Sequence, residues 1–240
     1  MKKLCLLHTT DQFVEMMSEP FTRPFRKENP DIEVFDIADS SLIEETKKAG
    51  YATPSVARRM FRYMMAAVDA GADAILVTCT SVNTVTKRIR DWIPIPVLSI
   101  EEPVAELAVE KGTRIGILSS VATSAVPVQT TIQQCAVSAG KNITTEISVA
   151  DGAFEALTNG DRALHDETIR TALKQLVPKV DMVVFAQFSM ALVKHPSYPV
   201  PVLKFGRISY DAAREAMYHP EKAKTEEMSF QNEGGSQCAR

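Results

Sequence analysis

The sequence predicts an α/β protein of two pseudo-symmetric lobes, each a mainly parallel sheet flanked by helices, with the active site in the cleft between them. Three observations point there. Short apolar runs alternate with longer amphipathic segments, the pattern of right-handed βαβ units. One long stretch is written twice. The apolar runs also end in hydroxyl, thiol and amide side chains, and parallel sheets bind ligands beyond the carboxyl ends of their strands.

The strand candidates, in order, are "KLCLLH" (3–8), "IEVFDIA" (32–38), "DAILVTC" (73–79), "PVLSI" (96–100), "RIGILSS" (114–120), "TTEISVA" (144–150), "DMVVFAQ" (181–187) and "PVLKF" (201–205). Three helices stand out between them. Residues 55–71 place Val56, Met60, Met64 and Ala67 on one face and close on Gly71. Residues 101–112 close on Gly112, and residues 165–177 carry a similar apolar stripe.

The repeat sets "GADAILVTCTS" and "PIPVLSI" against "KVDMVVFAQFS" and "PVPVLKF". Asp73 precedes Cys79 by the same interval that separates Asp181 from Gln187, and "LCLLHTT" (4–10) faces "IGILSSVATS" (115–124). Two copies of one unit, roughly 1–100 and 113–207, follow from this pairing. The expected division is an N-terminal lobe over 1–100, its final helices free to cross to the other lobe, and a C-terminal lobe over 101–218. The polar, unpatterned stretch 219–240 is expected to be a disordered tail.

Composition narrows the function classes. The 240 residues are 45% hydrophobic and carry a net charge of −3, which gives no footprint for nucleic acid. No apolar run is long enough for a membrane span. The opening "MKKLCLLHTTD" reads as a first strand rather than a signal peptide, because its apolar run is short and no cleavage site follows. The cysteines Cys5, Cys79, Cys135 and Cys238 form no CxxC or Cys/His cluster, so neither a disulfide framework nor a metal site is indicated. A cytoplasmic protein without nucleic-acid or membrane partners is expected, possible as a homodimer or higher homo-oligomer.

The strand ends supply the candidate site residues: Thr9 and Thr10 after His8; Cys79 with Thr80, Ser81 and Asn83; Ser119 with Thr123; and Gln187 with Ser189. Loops of this kind lead into helix N-termini, where free N–H groups favour a carboxylate. The same field favours a thiolate, the reactive form of cysteine. Cys79 is therefore the candidate reactive thiol. Cys5, mid-strand, is core, Cys135 lies in a helical segment, and Cys238 is a bystander in the tail. Asp11 is a nearby carboxylate able to carry a proton.

These residues in this repeat resemble the aspartate/glutamate/hydantoin racemase superfamily, over about 1–217. Members carry a Cys-Thr or Cys-Asn motif at a strand end of the first lobe, which "LVTCTSVNT" matches, and a second cysteine motif at the equivalent strand end. The resemblance implies cofactor-independent chemistry in which two thiols flank the substrate's α-carbon and donors stabilise an enediolate. Here the second position reads Ala186-Gln187-Phe188-Ser189, and an amide is no general base at neutral pH. The expected activity is a cysteine-dependent racemase or isomerase acting on a small carboxylic acid (an amino acid, a hydantoin-type compound or a dicarboxylate). It would proceed through an enediolate or a Cys79 adduct, with Gln187 as a catalytic partner by hydrogen bonding and no cofactor. The alternatives are a single-thiol decarboxylase or lyase, and a non-catalytic small-carboxylate binding protein.

Overall fold

The computed structural model describes residues 1–220; residues 221–240, including Cys238 and most of the expected tail, lie outside the described residues. Eight strands are found among them: β1 (Lys2–His8), β2 (Ile32–Ala38), β3 (Ala74–Val77), β4 (Val97–Ser99), β5 (Arg114–Ser119), β6 (Thr144–Val149), β7 (Met182–Phe185) and β8 (Val202–Leu203). The helices are α1 (Gln12–Met17), α2 (Arg23–Glu28), α3 (Ser40–Ala49), α4 (Pro54–Asp69), α5 (Asn83–Ile89), α6 (Glu102–Lys111), α7 (Ala122–Ser138), α8 (Ala153–Thr158), α9 (Arg162–Leu176) and α10 (Arg207–Tyr218).

The strands form two four-stranded sheets, β2-β1-β3-β4 and β6-β5-β7-β8. Adding four to each strand number of the first gives the second. In the first, β1 pairs parallel with β2 and β3. In the second, β5 pairs parallel with β6 and β7, and β7 with β8. The central strands β3 (AILV) and β7 (MVVF) are buried at every position, as strands covered on both faces must be. The edge strand β6 is buried at none.

The duplication extends to the hydrogen bonds that start the strands. Asp73 accepts the Lys3 backbone N–H at 2.8 Å, and Asp181 accepts that of Arg114 at 3.0 Å. Ile75 donates its N–H to the Pro96 carbonyl, and Val183 donates to that of Pro201, both at 2.9 Å. The paired aspartates thus fix the register of the central strand in each copy.

The chain forms two compact units. One contains Met1–Val77, Val85–Leu98 and the described residues from Tyr210; the other contains Thr78–Thr84 and Ser99–Ser209. In the first, Thr53 caps α4, with Pro54 at its first position, and Val56, Met60, Met64 and Ala67 form the buried stripe the spacing predicts. Phe25 packs on Tyr210, and Tyr210 shares a 2.7 Å hydrogen bond with Thr22, so α10 belongs to this unit. In the second, α9 begins earlier than its apolar stripe suggests because Asp161 accepts the Leu164 N–H at 2.9 Å. Its buried stripe of Ile169, Leu173 and Leu176 packs with Leu118, Val183 and Phe185. No helix among the described residues is long and apolar enough to cross a membrane.

Candidate functional site

β3 and β7 are shorter than their apolar runs. Each stops two residues before the polar side chain that drew attention to it. Cys79 and Gln187 lie in extended backbone (φ −132°, ψ 120° and φ −140°, ψ 145°), and each leads into a short helical turn, Thr80–Val82 or Phe188–Met190. The thiol and the carboxamide therefore hold equivalent places in the two copies. In the second unit, α7 packs against the turn that follows Cys79. Cys79 itself is buried, 7% exposed, with Thr80 buried and Ser81 half-buried beside it in sequence.

Gln187 is held through one end of its side chain. Its Oε1 accepts the Ser120 backbone N–H at 2.6 Å and the Ser120 hydroxyl at 2.8 Å, and lies 3.1 Å from the Ser119 hydroxyl oxygen. A backbone N–H only donates, so the amide oxygen must face Ser120 and the Nε2 donors must face away. Nε2 makes no hydrogen bond within the described residues. Ser119 also approaches the Val121 carbonyl at 2.6 Å, so its single proton is committed inside the loop. Thr123 lies in the first turn of α7. The turn after Gln187 is braced in turn: Arg162 donates to the Ser189 carbonyl at 3.3 Å and to Asp166 at 3.0 Å, and Asp166 bonds His165 Nδ1 at 2.7 Å.

Asn83, a candidate substrate donor, is only 3% exposed. Its Nδ2 donates to Glu101 Oε1 at 2.9 Å and approaches Thr131 Oγ1 at 3.4 Å. Glu101 is fully buried. It follows the apolar run "PVLSI", and the strand-end rule that selects Cys79 and Gln187 would select it too. Carboxylates are rarely buried this way unless something nearby requires them.

In the first unit, His8 is fully buried at the end of β1, and its Nε2 lies 2.9 Å from Asp36 Oδ1. The Thr9 hydroxyl is buried with no hydrogen-bond partner among the described residues. Thr10 is half-buried, and its hydroxyl lies 3.4 Å from Asp11. Asp11 caps α1 and accepts the Ser40 hydroxyl at 2.7 Å. The Ser40 contact, with the N–H of Gln12, holds its carboxyl below the usual range, so it has no proton to give near neutrality. Burial, with Asp36 nearby, pushes the Cys5 thiol up to about 12, which leaves it inert in the core. Among the described residues, no group of three or more His, Cys, Asp or Glu side chains is placed to hold a metal ion.

Solved structures of similar fold are Picrophilus torridus aspartate racemase (16% identity, TM-score 0.63, 93% of this chain and 95% of that one) and Klebsiella pneumoniae allantoin racemase (14%, 0.67, 92% and 89%). The Gly74Cys mutant of arylmalonate decarboxylase matches at 12% identity and a TM-score of 0.54 over 90% of this chain and 93% of that one. No curated protein sequence matches. The Asp/Glu/hydantoin racemase family model matches residues 7–216, which include the turns bearing Cys79 and Gln187, and the chain belongs to that family.

Proposed function

We propose that the protein is a cofactor-independent, cysteine-dependent racemase or isomerase acting on a small carboxylic acid. The observation that carries this reading is the exchange at equivalent strand ends: a thiol at position 79, and at 187 a carboxamide whose oxygen is occupied and whose N–H donors are not. Cys79 is the one side chain of the pair able to carry a proton or attack carbon. Gln187 Nε2 donates to a carboxylate oxygen as charge develops there.

A single thiol limits the chemistry. It either removes an α-proton from one face of the substrate, or adds to an unsaturated acid as an S–C adduct that rotates and then eliminates. In the first case the enediolate takes a proton back from the thiol with retention or, more slowly, from water on the opposite face with inversion. The second reading, a lyase that protonates an enediolate after loss of carbon dioxide, rests on the same single proton carrier and on the family's carboxylate chemistry. Solvent deuterium separates the readings. In deuterium oxide a one-base racemase or epimerase exchanges the α-hydrogen faster than it inverts the centre. A cis–trans isomerase acting by adduct gives product without α-exchange, and a lyase places one solvent deuterium in each product.

The common test is the thiol. Iodoacetamide should alkylate Cys79 well below pH ~8.5, where an ordinary thiol titrates, and a dicarboxylate should protect it. Cys79→Ser should lower kcat by at least about 100-fold. Turnover of any amino, hydroxy or unsaturated acid by Cys79→Ser at the wild-type rate would refute the proposal.

A further inference from the structure

We propose that Glu101 is a positioning residue for Cys79, acting through Asn83. The inference rests on the reading of Cys79 as the reactive thiol and extends it to a residue with no direct part in the chemistry. Asn83 stands four positions after Cys79, at the point where the short turn Thr80–Val82 passes into α5, and its backbone N–H donates to the Thr80 carbonyl. Its side chain leaves the turn altogether and crosses to Glu101, which follows β4. The strand end that carries the thiol is thereby tied to the neighbouring strand end. The brace continues through Thr131, whose hydroxyl donates to the Pro127 carbonyl of α7 at 3.1 Å. Asn83, Glu101 and Thr131 are 3%, 0% and 1% exposed.

A fully buried carboxyl is expensive to desolvate, and a well-packed apolar residue would often serve stability better. Its presence here suits a geometric role, that of a single acceptor fixing where a turn sits. The repeat strengthens the point. The residues equivalent to Asn83 and Glu101 in the second copy are Ala191 and Gly206, so that copy cannot form this bond. There the turn bearing Gln187 is held by Arg162 on the Ser189 carbonyl and by Lys204 on the Val193 carbonyl at 2.6 Å. The two turns share a backbone path, and the amide–carboxyl pair anchors the thiol-bearing one.

A double-mutant cycle on the full chain tests this, read as the iodoacetamide alkylation rate of Cys79 in the folded protein, which needs no substrate. Asn83→Ala and Glu101→Ala should each change that rate by about tenfold or more, and the double variant by no more than the larger single effect. Glu101→Gln, which keeps the acceptor oxygen, should recover most of the wild-type rate. If Glu101→Ala fails to fold, Asn83→Ala and Glu101→Gln decide the matter by themselves. Additive effects would overturn the inference, as would wild-type alkylation in Asn83→Ala or a loss in Glu101→Gln equal to that in Asn83→Ala. Alkylation that depends on this pair, together with turnover that survives Cys79→Ser, would uphold the brace and sink the proposed function instead.

Discussion

At the scale of single residues, the proposed site turns on what Gln187 cannot do. Its Oε1 is pinned by the Ser120 N–H and hydroxyl, so in the proposed site the side chain can act only as a donor. Ser120→Ala deletes one of those anchors while the backbone N–H remains. It should raise KM by a few-fold with a smaller change in kcat, because one hydrogen bond is worth about 1 kcal/mol. Gln187→Cys should increase α-carbon inversion relative to solvent exchange, measured by chiral chromatography beside deuterium incorporation; an unchanged ratio would show that position 187 does not face the substrate carbon. Cys79 and Gln187 were legible in the sequence because the repeat aligns them. The Ser120–Gln187 and Asn83–Glu101 bonds were not, since their partners lie 67 and 18 residues apart and no local pattern marks either pairing.

At the scale of elements, the apolar runs revealed every strand but overstated where the central ones end. Hydropathy continues through Thr78-Cys79 and Ala186-Gln187, whereas the ladders close at Val77 and Phe185. Beyond the ladders, Cys79 and Gln187 stay extended, and Ala186 still donates its N–H to the Leu118 carbonyl at 2.8 Å. Helix boundaries depended on caps that periodicity does not register. Asp161 extends α9 by a turn, and Asp161→Ala should lower stability by about 1 kcal/mol, read from urea unfolding. Gly116 of β5 is closely covered by α9: an added Cβ would lie 2.9 Å from Leu176 Cδ2. Since Leu176 is buried and has little room to yield, Gly116→Ala should cost about 1–3 kcal/mol in the same assay.

For the whole molecule, the alkaline limit of stability follows from groups in the first unit. The unfolded Cys5 thiol ionises from about pH 8.5, whereas the buried one keeps its proton to about 12. Within that window the unfolded chain binds fewer protons than the folded one, so stability falls as pH rises, by up to about 1.4 kcal/mol per pH unit. Tyr210, raised by burial, adds to the loss above its ordinary range. Cys5→Ala should be less stable at pH 7 yet show a shallower decline between pH 9 and 11, measured by thermal melts.

The way α10 returns to the first unit carries a temporal consequence. Tyr210 meets Thr22 and Phe25, Arg214 bonds Asn29 at 3.3 Å, and Tyr218 donates to Asp31, so partners nearly two hundred residues apart close that unit. On a ribosome, the sheet made first must therefore wait for the last described helix, while Ser99–Ser209 emerges as one nearly uninterrupted piece. The half that begins the chain is the later half to finish folding, and during that wait the face that will receive Tyr210 stays open.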